Sequence, residues 1–322
     1  MPSFFMGKLL AMLGFRREKS INISDETLKE SLKLLKTISW DNAFISPVWE
    51  AVFSKFGISK LNETQGEVDY ELLKSSYEDF FVNGLSDGAC VGADLKRVKS
   101  AMKYAVRGSR RLILLKNHFD FTGSYSDPLS SLALSPELSS GRPWLQKLSG
   151  AWVNPELIDH AYFFELCRYL PIPKERLLFI GDGSGILSNI FLNNTNVKEA
   201  TFIDLPHFLL RQHIVNNGLT SVSKKYLTPD QVDGLTNINQ RRVLINQDSF
   251  PEIPEQYLEI YFDLITSGYI TDVLSYNKKD SSFGHADFRS ILLSKGIKCL
   301  LSVESVMRPG YFIEWYSSHH AE

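Results

Sequence analysis

The sequence predicts an α/β fold: an open, mostly parallel Rossmann-like sheet with helices on both faces, preceded by a mainly helical half. Three observations lead there. From Glu175 onward, short apolar runs alternate with helical stretches, as in a parallel sheet covered on both sides. A glycine-rich turn, Gly181–Gly185, separates the first run from the first helix. Before Pro171, by contrast, apolar residues recur mainly at helical spacing.

The helical half opens with Ser24, a good cap, followed by Asp25 and Glu26 and then Leu28, Leu32, Leu35 and Ile38 at helical intervals. Further helices are expected over Asp69–Phe81 and Ala93–Val106. The latter places Lys96, Lys99, Lys103, Arg107 and Arg110 on one stripe, which serves as a solvated face or holds an anionic acceptor. Residues Phe119–Leu148 read as loops. Asn154 then caps, and Pro155 starts, a helix apolar almost all round until Pro171 and Pro173 stop it.

In the second half the expected strands are Leu177–Ile180, Thr201–Leu205, Arg242–Asn246, Phe262–Thr266, Ile297–Val303 and Tyr311–Tyr316. Helices are expected at Gly185–Asn193 and Pro206–Asn217. The resulting divisions are an amphipathic segment over 1–20, a mainly helical domain over 21–170, and a domain of alternating strands and helices over 171–322.

A chain of 322 residues can bury a substantial core. Its net charge of −2 supplies no field that would recruit nucleic acid, so that partner is not expected. Cys90, Cys167 and Cys299 are dispersed and odd in number, which excludes a disulfide framework or a paired-cysteine metal motif. The apolar run Met1–Phe15 has its basic residues after it, the wrong order for a secretory signal, and is too short to span a bilayer. The expected location is cytoplasmic, with peripheral contact at the inner face of a membrane through residues 1–19 as an alternative to docking on the domain itself. Oligomeric state cannot be read from the sequence.

The chemistry concentrates where strands meet helices. Gly181, Asp182, Gly183, Ser184 and Gly185 follow the first strand, where the backbone must turn sharply and approach a ligand without Cβ atoms in the way. A dinucleotide loop would need glycine at 186, which is Ile186; the spacing present is G-x-G-x-G, the methyltransferase form. Asp204, 23 residues after Gly181, can accept both ribose hydroxyls of a nucleoside, or cap the next helix with Leu205 and Pro206. Asp248 and Ser249 follow the 242–246 strand.

In this order, these features resemble the class I S-adenosylmethionine-dependent methyltransferases, and among them the sugar O-methyltransferase group. The resemblance covers about Leu134 to Tyr316. It includes Ser140-Gly141-Arg142-Pro143, the Asn154–Leu170 helix, Ile180–Gly185, Ile203-Asp204-Leu205-Pro206 and Ser267–Val273. It implies S-adenosylmethionine held by Gly181, Asp182, Gly183, Gly185, Asp204 and Leu205. Asp248 and Ser249 would face the adenine, and Ser267 would border the methyl donor.

The acceptor it implies is a sugar, nucleotide-sugar or glycan hydroxyl, deprotonated by Asp272 or by His285, whose pKa suits the task. Asp272 could alternatively hold Mg2+ with Asp287. Departures are Phe179 where an acid is usual, Asp272 where the group has glutamate, and room for one strand after the fifth instead of two. The alternatives are a methyltransferase of another small hydroxylated metabolite and an inactive methyltransferase-like scaffold.

Overall fold

The computed structural model of the chain describes residues 15–16, 24–39, 71, 145–148, 151–153, 157–183, 185–235, 240–253, 255–279 and 288–318. The expected helices over 69–81 (Glu71 apart) and 93–106 with its basic stripe, the Asn154 cap, the membrane-facing reading of residues 1–19 (Phe15 and Arg16 apart), His285 and Asp287 lie outside them. Strand β1 (Phe15–Arg16) pairs with β2 (Leu145–Leu148), and β2 with β3 (Ala151–Val153), in a small antiparallel sheet. Part of the stretch expected to be loop is therefore strand.

The main sheet has seven strands: β4 (Arg176–Ile180), β5 (Glu199–Ile203), β6 (Ser223–Leu227), β7 (Val243–Gln247), β8 (Asp272–Lys278), β9 (Lys298–Glu304) and β10 (Tyr311–Ser317). Their spatial order is β6-β5-β4-β7-β8-β10-β9. The first five in that order pair parallel, and β10 lies antiparallel between β8 and β9. This is an open, mostly parallel Rossmann-like sheet with its last strand inserted antiparallel. The expected one-strand shortfall is corrected, because β6 and β8 both went unread.

Six helices are described: α1 (Asp25–Leu35), α2 (Leu157–Arg168), α3 (Ile186–Asn194), α4 (Pro206–Asn216), α5 (Glu255–Thr266) and α6 (Phe288–Ser294). Alternate strand residues feed two cores. Leu177, Phe179, Phe202, Ile245 and Tyr276 meet helices α1 to α4 on one face. Leu178, Ile180, Ile203, Leu244 and Val273 meet α5 and α6 on the other. Each fully buried large side chain is worth roughly 1.5–3 kcal/mol.

The expected strand Phe262–Thr266 is the last part of α5. Leu258, Tyr261, Phe262 and Ile265 recur at helical intervals and are all buried, so the helix hides one apolar face that a five-residue window reads as a strand. Helix α1 begins at Ser24, whose side chain accepts from Thr27 N. It docks on α4 through Ser31 Oγ and His213 Nδ1, 3.0 Å apart. No helix among the described residues is long and apolar enough to cross a membrane.

Candidate functional site: the carboxyl edge of the sheet

The strand order reverses between β4 and β7, which opens a crevice at their carboxyl ends, where ligands of such sheets sit. Gly181, Gly183 and Gly185 occupy this point with φ of 64°, 52° and 74°. A Cβ at Gly181 would stand 2.3 Å from Ser249 Cβ, and one at Gly185 would stand 2.9 Å from the Gln212 backbone. Glycine is thus demanded twice over, by backbone conformation and by close approach.

Asp204 follows β5 directly and ties the loop down. Its Oδ2 accepts from Gly183 N at 2.9 Å and Gln212 Nε2 at 2.6 Å, and its Oδ1 from Leu205 N at 2.8 Å. Burial pushes its pKa up to about 6, against the pull of these three donors. Asp182 accepts from Ser188 N at 3.1 Å through Oδ2, while its buried Oδ1 has no hydrogen-bond partner among the described residues. Burial, reinforced by the nearby Asp204 charge, raises the Asp182 pKa to about 7. Gln212 Oε1 is likewise buried without a partner.

Ser249 Oγ donates to Ile180 O at 3.1 Å, and Asn246 Nδ2 reaches the same carbonyl at 2.9 Å, which fixes the turn after β7 against the glycine loop. Asp248 adopts φ 65°, and its carboxylate pairs with Arg308. The Arg308 guanidinium lies 3.6 Å from the Tyr311 ring centre. Arg308 belongs to the β9–β10 turn, where Ser305 Oγ accepts from the backbone N of both Met307 and Arg308. On α2, His160 Nδ1 is 3.0 Å from Gln247 Oε1.

Two expected site residues lie elsewhere. Asp272 is the first residue of β8, in register with Val243 at the amino edge. It accepts from Arg241 Nη2 at 3.0 Å, Thr271 Oγ1 at 2.9 Å and Trp315 Nε1 at 3.1 Å. It can therefore serve neither as a base at the carboxyl edge nor as a magnesium ligand there. Ser267 closes α5, its Oγ donating to Leu264 O at 3.2 Å, and so also sits at the amino edge. Both corrections follow from α5 being a helix, which reverses the direction in which residues 267–272 approach the sheet.

Phe179 is core: it is 1% exposed and stacks on Phe202 with centroids 5.6 Å apart. An acid there would be buried among aromatic rings. Residues the sequence reading missed are Gln212, Asn246, His160 and Arg308. Arg308 was legible only as a turn residue; its arrival at the site depends on β10 running antiparallel.

No family model matches the chain, and no curated protein does. Among solved structures it is similar to the M. capricolum TrmK complex with S-adenosyl-homocysteine, at 11% identity over 50% of this chain and 70% of that one (TM-score 0.36). It is also similar to magnesium protoporphyrin IX methyltransferase from Synechocystis with bound S-adenosyl-homocysteine, at 14% identity over 51% and 82% (TM-score 0.36). Likeness at this level bears on neither chemistry nor acceptor.

Proposed function

We propose that this chain is an S-adenosylmethionine-dependent O-methyltransferase acting on a hydroxyl of a sugar or sugar-containing glycan. The observation that carries the cofactor part is the pair Asp204 and Asp182 around the three-glycine turn at the switch point. Asp204 keeps acceptor capacity for ribose hydroxyls beyond its three donors, since an ionised carboxylate offers about four lone-pair sites. The unmatched Asp182 Oδ1 suits the methionine amino group, replacing the acid that Phe179 displaces.

The cofactor supplies an activated methyl group on its sulfonium. The protein's work is to hold the acceptor oxygen in line with that methyl and to take its proton. Asp272 is withdrawn from that role. His160, whose ring Nδ1 meets Gln247 Oε1 at the carboxyl edge, is the candidate base, with His285 as the alternative. The sugar assignment rests on the family resemblance alone.

The test is calorimetric titration with S-adenosylmethionine and, separately, NAD, followed by transfer of labelled methyl to a panel of sugars, nucleotide-sugars and glycans. Micromolar binding of the methyl donor alone is expected. Binding of NAD alone would overturn the reading. Donor binding without transfer to any acceptor would favour a non-catalytic scaffold.

A further inference from the structure

The amino edge of the sheet carries a cavity of about 300 Å³ that the glycine loop does not reach. Arg176, Glu199 and Ser223 begin β4, β5 and β6, stand side by side in register, and form one wall. Lys225, Arg242 and Tyr269 complete the charged and aromatic lining. Three cations thus face one carboxylate, in a chain whose net charge is −2.

Two details suggest a ligand site. Arg242 is 8% exposed and held in place: its Nη2 donates to Gln240 Oε1 at 3.1 Å, and its guanidinium lies 4.2 Å from the Tyr269 ring centre. A cation fixed before binding loses little freedom on meeting an anion. Arg176 Nε lies 3.3 Å from Glu199 Oε1 in an ion pair, yet its buried N–H makes no hydrogen bond among the described residues. An oxyanion in the cavity would give this N–H the hydrogen-bond acceptor it lacks.

We infer that this cavity binds a small phosphate-bearing molecule. Guanidinium groups suit phosphate because their planar N–H pairs match two of its oxygens. The volume falls at the low end of small-molecule sites, roughly 300–1,000 Å³, and excludes large polyanions from full entry. The cavity lies across the sheet from Gly181, so its ligand does not compete with a cofactor there.

The experiment titrates the full chain with inorganic pyrophosphate at low salt by calorimetry, with and without saturating S-adenosylhomocysteine. The variants are the double substitution Arg176→Gln with Lys225→Gln, whose side chains reach solvent, and Arg242→Lys, which keeps charge but loses the planar fork. Unfolding midpoints serve as the fold control. The expected result is binding weakened at least tenfold by the double variant and several-fold by Arg242→Lys, and unchanged by S-adenosylhomocysteine. No binding up to about 10 mM, equal binding by the double variant, or displacement by S-adenosylhomocysteine would each overturn the inference. Pyrophosphate binding does not depend on methyl transfer, so this test and that of the proposed function can fail separately.

Discussion

Asp272 at the amino edge and Asp182 at the carboxyl edge are treated oppositely. Asp272 at the amino edge receives three donors, from Arg241, Thr271 and Trp315. Asp182 at the carboxyl edge receives a backbone N–H on one oxygen, while the other is buried without a partner among the described residues. A satisfied buried carboxylate braces the strands it joins. An under-satisfied one costs stability, and the arrangement makes sense where a ligand supplies the missing donor. The turn after β7 has the same character: Asp248, a non-glycine residue, holds a φ of 65° at the edge where ligands of such sheets sit.

Substitutions sharpen this contrast. The largest effect is expected from Gly181→Ala, which must displace Ser249 and adopt a left-handed φ of 64°. We expect a loss of about 3 kcal/mol in urea unfolding, together with loss of cofactor binding. Next, Asp272→Ala should cost about 2–3 kcal/mol of stability, with cofactor affinity per folded molecule unchanged. A matching loss of affinity would show that the two edges are coupled.

Asp204→Ala should do the reverse. Loss of charge-assisted hydrogen bonds to ribose should weaken S-adenosylmethionine binding roughly 100-fold in calorimetry, with a smaller stability loss than Asp272→Ala. Unchanged affinity would remove Asp204 from the site. The smallest effect is that of pH. Asp204 and Asp182 are raised in the fold to about 6 and about 7, so the fold favours their protonated forms. Their protonation supports stability at low pH, and this support is lost as pH rises through those values. On the proposed function the cofactor meets the ionised forms, so affinity should fall as pH drops through 7 and then 6. Flat affinity from pH 8 to 5 would contradict this.

The sequence made the carboxyl edge more legible than the amino edge, for physical reasons. A strand followed by closely spaced glycines and a helix admits few backbone solutions, so Gly181, Gly183, Gly185 and Asp204 were read in place. Strand β8 was hidden because its Asp272, Ser275 and Asn277 look unlike a buried strand; they are buried through mutual contacts such as Asn277 Nδ2 to Ser275 Oγ at 2.7 Å. Strand β6 carries Lys224 and Lys225 because it is an edge strand, where charge guards against further pairing. Once α5 was read as a strand, every residue from 267 to 272 was assigned to the wrong end of the sheet. Satisfied polar residues in the interior cannot be told from exposed ones without knowing their partners.

The inserted β10 has a kinetic consequence. Asp248 and Arg308 are 60 residues apart, and their pairing requires β10 to lie beside β8. Long-range closures of this kind come at a high loop-entropy cost and slow the search for the native state. The Asp248 side of the crevice therefore completes only when the penultimate lane of the sheet is filled. Ligand competence would then report that folding has finished, with the glycine turn formed early from local sequence and the Arg308 arm arriving last.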